Sequence, residues 1–279
     1  MTFKTTDVAP RIGVQVETDL DTLLSGSVAD DLRELLETRS VVVIRGIEMT
    51  DAQQLAFTGT FGSLGDADVG TIYKVSFDKR ENPLHADYNY GNFSWHIDRT
   101  DIDVPPFATM LIARRLAPVG GETEFANLYA AYEDLPDDDK RLIENLRVVH
   151  HIGAATRLGY PDAPEELKAL WRTRPSVVHP LVWRHRSGRR SLITGTTAIE
   201  VVGMDPAVGK ALLDRILRWS ERPEYRYLHK WQVGDIVIWN NTGTMHRVRP
   251  YDIRAGRLLD RTVVVGDEPF DPARELARA

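Results

Sequence analysis

The chain has 279 residues, with 35 Lys and Arg set against 41 Asp and Glu, a formal charge of −6, and no cysteine. The missing cysteines exclude disulfides, thiolate metal sites, iron–sulfur clusters and cysteine nucleophiles. The acidic balance speaks against a nucleic-acid partner, and the length suits one β-rich domain spanning residues 1–279.

Residues 1–11 are polar and lack the apolar centre of a signal peptide. No apolar run approaches the length of a membrane span, so the expected location is the cytoplasm. Val28, Leu32, Leu35 and Leu36 recur at helical spacing over 27–39, with Ser27 as the expected N-cap. The β-branched run 40–46, closed by Gly46, predicts a buried strand. A second helix is expected over 50–61, capped by Thr50 or Asp51. From 62 to 94 the pattern breaks. Polar and aromatic residues over 78–92 read as a loop, and 66–94 as a whole reads as a lid.

The stretch Trp95-His96-Ile97-Asp98 follows. Side chains two apart on a strand, or at its end, share a face, so His96 and Asp98 can reach one metal ion together. His246 is the best third ligand. Two His and one carboxylate with open positions opposite are the ligand set of non-haem Fe(II) oxygenases. Strands are predicted at 107–115 and 122–126 around the turn Pro118–Gly121, then a helix pair over 128–146 broken at Pro136. The Pro-rich stretch 154–176 reads as a second lid. Segments 177–186 and 190–194 flank Ser187-Gly188-Arg189 as a hairpin. A helix is expected over 206–219, then strands at 225–231, 235–240 and 257–265. Many short strands with helices outside them predict a mainly β jelly roll with flanking helices.

Several motifs then carry a family resemblance: VVVIRG (41–46), AFTGTFGSLG (56–65), WHID (95–98), GGETEFANLYAAYEDLP (120–136), HPLVWRH (179–185) and WQVGDIVIWNNTGTMHR (231–247). In this order they resemble the taurine/2,4-dichlorophenoxyacetate dioxygenases, Fe(II)- and 2-oxoglutarate-dependent enzymes, with the aryloxyacetate branch nearer. The resemblance covers about Val41 to Arg261 and implies a double-stranded β-helix of the clavaminate-synthase type. It implies Fe(II) held by His96, Asp98 and His246, with 2-oxoglutarate and O₂ as co-substrates. Thr123 lies 27 residues after His96, and Arg257 lies 11 after His246, the family spacings for 2-oxoglutarate binding. Arg261, four residues on, shares a strand face with Arg257 and is assigned to 2-oxoglutarate or to an anionic substrate. Asn92 matches a substrate-contacting Asn. Halogenating relatives lack the carboxylate, so Asp98 favours hydroxylation. The slots where taurine-type relatives carry a His and a Tyr hold Ala67 and Gly70, which argues against taurine. The usual Trp-Asp-Asn-Arg reads Trp239-Asn240-Asn241-Thr242 here, a change around the ligands but not among them.

The expected activity is hydroxylation of a small, anionic, carboxylate-bearing molecule, with release of succinate and CO₂. Ether, C–N or C–S cleavage follows where hydroxylation lands beside a heteroatom. The chain is expected to engage no nucleic acid or membrane and to form a homo-oligomer. The alternatives are a non-catalytic jelly roll that binds a metal or small acid, and a metal hydrolase. The latter would have no use for Arg257. His150, His151, His179 and His185 read as structural histidines, Trp95 and Trp239 as packing residues, and Lys74 and Arg99 as solvent-facing charges.

Overall fold

The computed structural model describes residues 3–65 and 72–271. In chain order the strands are β1 (Lys4–Asp7), β2 (Val14–Glu17), β3 (Val41–Ile44), β4 (Leu64–Gly65), β5 (Tyr73–Val75), β6 (Ala108–Arg115), β7 (Thr123–Asn127) and β8 (Arg147–His151). They continue with β9 (Ser176–Pro180), β10 (Val182–Arg184), β11 (Arg190–Leu192), β12 (Ala198–Val201), β13 (Arg226–His229), β14 (Ile236–Asn240), β15 (Thr244–Val248) and β16 (Leu258–Val264). The helices are α1 (Leu20–Leu24), α2 (Ala29–Arg39), α3 (Asp51–Thr60), α4 (Leu128–Glu133), α5 (Asp137–Ile143), α6 (Ile152–Gly159), α7 (Glu165–Arg172) and α8 (Pro206–Ser220). A 3₁₀ turn runs over Ala86–Phe93.

Two sheets carry the architecture. The larger runs β1-β2-β3-β14-β6-β16-β4, with β5 added on β16, and the smaller runs β13-β7-β15. The period-two geometry of a strand explains why the central strands of the large sheet are apolar at nearly every position. Val42, Ile44, Met110, Ile112, Ile236 and Ile238 point one way, against Leu32 and Leu36 of α2 and Phe57 of α3. Their neighbours Val41, Val43, Leu111, Ala113, Val237 and Trp239 point the other way, against Phe125 of the small sheet. The result is the expected β-rich jelly roll: sheet on sheet, with helices outside. A further core gathers α4, α8, β10 and β11 around Trp183 and Ile216. No helix among the described residues is long and apolar enough to cross a membrane.

Several elements depart from expectation. Ser27 does not cap α2: its hydroxyl lies 2.8 Å from that of Ser25, and Val28 takes the N-cap position without a side-chain bond. Thr50 caps α3 as expected, in a capping box with Gln53. The stretch 154–176, expected as loop, carries α6 and α7. Pro164 precedes a first turn bearing Glu165 and Glu166, and the last turn bears Arg172. The loop expected over 78–92 contains the 3₁₀ turn. Strands β1, β2, β4, β5, β8, β12 and β15 had no predicted counterpart. Each is only two to five residues long, which leaves little periodicity to read. Residues 66–71, the first part of the expected lid and including Ala67 and Gly70, lie outside the described residues.

Candidate active site

The His246 strand sets the geometry. In the small sheet Phe125 of β7 pairs with His246 of β15, and Thr123 pairs with Val248. Alternation therefore turns Thr123, Phe125, His246 and Val248 to the face that meets the large sheet. The outer face carries Glu124, held by Arg247 at 2.6 Å, Arg249 at 3.2 Å and Arg226 at 3.3 Å. His96 joins His246 in an isolated antiparallel bridge, with backbone hydrogen bonds of 3.0 and 2.8 Å. Asp98 sits two residues on, in a turn rather than a strand. Arg99 then takes a φ of +57°, a conformation in which side chains other than glycine are uncommon.

These elements bring His96, Asp98 and His246 together, one donor atom from each within 4.8 Å of the others. Both imidazole Nε2 atoms lie 3.9 Å from Asp98 Oδ1, too far for hydrogen bonds. Three donor atoms face one another with no proton shared between them, which is what a cation site requires. His96 Nδ1 lies 2.8 Å from the Ser94 carbonyl, so Nδ1 keeps the proton and Nε2 presents its lone pair. Burial, reinforced by His96, lowers the His246 pKa to about 3 against the pull of Asp98, so His246 is neutral at pH 7. Burial pushes the Asp98 carboxyl up. His246, Arg261, His96 and a hydrogen bond from Thr109 outweigh it, so Asp98 stays below the usual range and ionised. Two imidazoles and one carboxylate fit Fe(II).

Asp98 is oriented by a chain of buried donors. Trp239 Nε1 donates to Asn241 Oδ1 at 2.9 Å, and Asn241 Nδ2 donates to Thr109 Oγ1 at 2.8 Å. Thr109 donates to Asp98 Oδ2 at 2.8 Å. That leaves Oδ1 for the ion. Asn240, where the family resemblance implies an Asp, braces the following turn. It donates to Leu36 O at 2.8 Å and accepts from Gly243 N at 3.0 Å. Thr242 lies 2.6 Å from the Tyr129 hydroxyl. The altered residues are thus spent on the β14–β15 turn.

The triad opens on a cavity of about 590 Å³ that is also lined by Asn92, Thr123, Arg257 and Arg261. Thr123 and Arg257 are almost wholly buried. Arg257 donates to Gly121 O at 3.0 Å and lies against the Tyr251 ring at 5.1 Å. Its Nε has no partner, and no ion pair to an acidic residue is formed among the described residues. Burial pulls its pKa below the usual value, offset by Tyr251. A buried cation in this state calls for an anion from outside the chain. The preceding turn makes room for it. Gly120 and Gly121 have φ of +77° and +78°, and a Cβ on Gly121 would lie 3.0 Å from Arg257 Nε. Arg257 precedes β16 rather than lying on it, and a bulge follows at Leu258/Leu259, so simple alternation does not relate it to Arg261. Arg261 stacks at 4.6 Å over Tyr73. Asn92 is the penultimate residue of the 3₁₀ turn, its Nδ2 3.3 Å from Asn89 Oδ1.

Of the other residues weighed from sequence, Lys74 lines the cavity but is paired with buried Asp260 at 2.9 Å. Arg99 is paired with Asp101 at 3.0 Å. His150, His179 and His185 bond to Thr197, Thr100 O and Ser191 at 3.0, 3.0 and 2.8 Å. Sequence reasoning missed Thr109, Asn241, Tyr251 and Trp231. Thr109 carried a usable signal, a hydroxyl at a core-facing position of an apolar strand, which demands a partner. The other three depend on cross-strand register.

Fold and site together define a metal-dependent jelly-roll enzyme of the two-histidine, one-carboxylate class. The chain belongs to the taurine catabolism dioxygenase TauD, TfdA family, whose model matches residues 4–263. It is 34% identical over 268 residues to an alpha-ketoglutarate-dependent 2,4-dichlorophenoxyacetate dioxygenase of Cupriavidus pinatubonensis, covering 89% of this chain and 92% of that one. It is 30% identical over 299 residues to pentalenolactone F synthase of Streptomyces arenae, covering 96% and 95%. Among solved structures, AAD-2 in complex with Mn(II) and N-oxalylglycine matches with a TM-score of 0.83 at 32% identity, covering 97% of this chain and 99% of that one.

Proposed function

We propose that this chain hydroxylates a small, carboxylate-bearing molecule in a reaction that consumes 2-oxoglutarate and O₂, depends on Fe(II), and releases succinate and CO₂. One observation carries the reading: a three-donor cation site and a buried cation without an acidic partner open on the same cavity. His96, Asp98 and His246 would hold Fe(II), which when bound supplies the oxidising chemistry that couples 2-oxoglutarate decarboxylation to substrate C–H hydroxylation.

The chain's own residues divide the remaining work. Arg257 receives the distal carboxylate of 2-oxoglutarate, which its planar fork matches, and Thr123 adds a hydroxyl donor. Arg261 contributes positive charge between this subsite and the metal, for the co-substrate or for an anionic substrate. Asn92 and its turn present the substrate wall. Tyr73, Phe77, Tyr88 and Tyr251 line the cavity, aromatic surface that suits an apolar substrate body. The name of the Cupriavidus relative favours an aryloxyalkanoate. Hydroxylation beside its ether oxygen gives a hemiacetal that collapses to a phenol and an oxo acid.

The test is a panel of small carboxylic acids, aryloxyacetates included, incubated with Fe(II) and 2-oxoglutarate. Succinate should form with at least one member, with matching O₂ uptake. Succinate formation that is indifferent to every panel member, or turnover without O₂, would contradict the reading.

A further inference from the structure

Thr123 does not stand alone beside the cavity. Trp231, on the far side of it, donates its indole N–H to Thr123 Oγ1 at 2.9 Å. An indole nitrogen only donates, so the direction of this bond is fixed. It occupies a lone pair of the hydroxyl, and no acceptor for the hydroxyl's own proton is present among the described residues. The O–H must therefore point away from Trp231, and Thr123 lines the cavity.

The indole is itself held. His229 packs against it at 4.4 Å with the rings at 83°. The His229 ring is fixed at both nitrogens, 2.9 Å from the Tyr227 hydroxyl and 3.1 Å from Asp235 Oδ2. Asp235 in turn accepts from Gln232 N at 2.8 Å and pairs with Arg45. His229 and Asp235 are fully buried. A connected set of side chains, from Arg45 after β3 through Asp235 and His229 of β13, thus ends on one N–H bond to a hydroxyl at the cavity wall.

We infer that Trp231 is a positioning residue for the co-substrate: its N–H fixes the rotor of Thr123 so that the hydroxyl proton faces the cavity, ready to donate to a carboxylate of 2-oxoglutarate. Without the N–H, the hydroxyl rotates freely and presents a lone pair to the carboxylate for part of the time. The inference rests on the assignment of 2-oxoglutarate to this cavity.

The experiment is calorimetric titration of 2-oxoglutarate, without O₂, into the Fe(II)-loaded full chain and its variants. Trp231→Phe should weaken 2-oxoglutarate binding about fivefold to tenfold, with Fe(II) affinity unchanged. Turnover at saturating 2-oxoglutarate should stay within about twofold of wild type. Thr123→Val should weaken binding at least as much, and Trp231→Phe should add almost nothing in that background. Thr123→Ser should restore most of the affinity. Unchanged affinity in Trp231→Phe, or the same loss in the Thr123→Val background, overturns the role of Trp231. Should Trp231→Phe fail to fold, His229→Asn, which keeps a bonding atom at the Nδ1 position and removes the ring packed against the indole, takes its place under the same criterion. Absence of 2-oxoglutarate binding to the wild type overturns the co-substrate assignment instead.

Discussion

At the scale of single residues, the site depends on keeping Asp98 ionised and turned so that Oδ1 faces the two imidazoles. Thr109 does this by occupying Oδ2 at 2.8 Å, and Asn241 and Trp239 hold Thr109. Thr109→Val keeps the shape and removes the donor. Fe(II) affinity should fall about 10- to 100-fold, as for other partners behind a metal ligand. A metal titration showing wild-type affinity would mean that Asp98 is oriented by other contacts. The grouping of His96, Asp98 and His246 was readable in the sequence, because the chemistry restricts their residue types, and Thr123 and Arg257, picked out by spacing, line the same cavity. Asn241 and Trp231 were not, because a polar side chain acquires its meaning from the strand opposite.

At the scale of elements, the turn before β7 controls Arg257. A Cβ on Gly120 would lie 2.1 Å from Pro250 O, at a φ of +77°. Gly120→Ala should destabilise the chain by about 2 kcal/mol or more, and it should weaken 2-oxoglutarate binding by shifting Tyr251 and Arg257. Urea unfolding checks the first effect; a midpoint equal to wild type would contradict it. Strand β8 supplies a pH dependence. Burial, with the nearby His179, holds the His150 pKa down to about 3, whereas the residue in the unfolded chain has the ordinary value of 6.5. Between these values the unfolded state binds the extra proton. The contribution is therefore fully present above pH 6.5 and is lost progressively as pH falls toward 3. His150→Asn should flatten the melting temperature against pH over this window; a slope as steep as wild type would rule out His150 as the source.

The elements themselves were unevenly legible. Helices α2, α3 and α8 showed their apolar period, and Thr50 announced its cap. The strand β3 was visible because burial on both faces leaves no polar alternation at all. Strand β8 was hidden because it follows α5 after only a short gap, with no Gly or Pro between them. Helices α6 and α7 were masked by Pro161, Pro164 and Pro175, which bound the helices here and do not exclude them.

At the scale of the whole molecule, two sheets enclose one end of a cavity and two excursions wall the other. The 3₁₀ turn and the C-terminal end of α6 meet through Tyr90 and Tyr160, stacked at 4.1 Å, so these two walls of the cavity pack against each other. Thr123 and His246 lie on the small sheet, His96 is bridged to it and Arg257 immediately precedes β16, so the sheets fix the metal-site end of the cavity. The residues that face the substrate come from the excursions, where sequence patterns are weakest. That division explains why the reaction class was readable and the identity of the substrate was not. The measurement that bears most directly on the account is the visible spectrum on adding 2-oxoglutarate to the Fe(II)-loaded chain without O₂. A charge-transfer band should appear. It should be absent in His246→Ala and should need at least about tenfold more 2-oxoglutarate in Arg257→Ala. No band in the wild type, or an Arg257→Ala titration that superposes on it, would contradict the account.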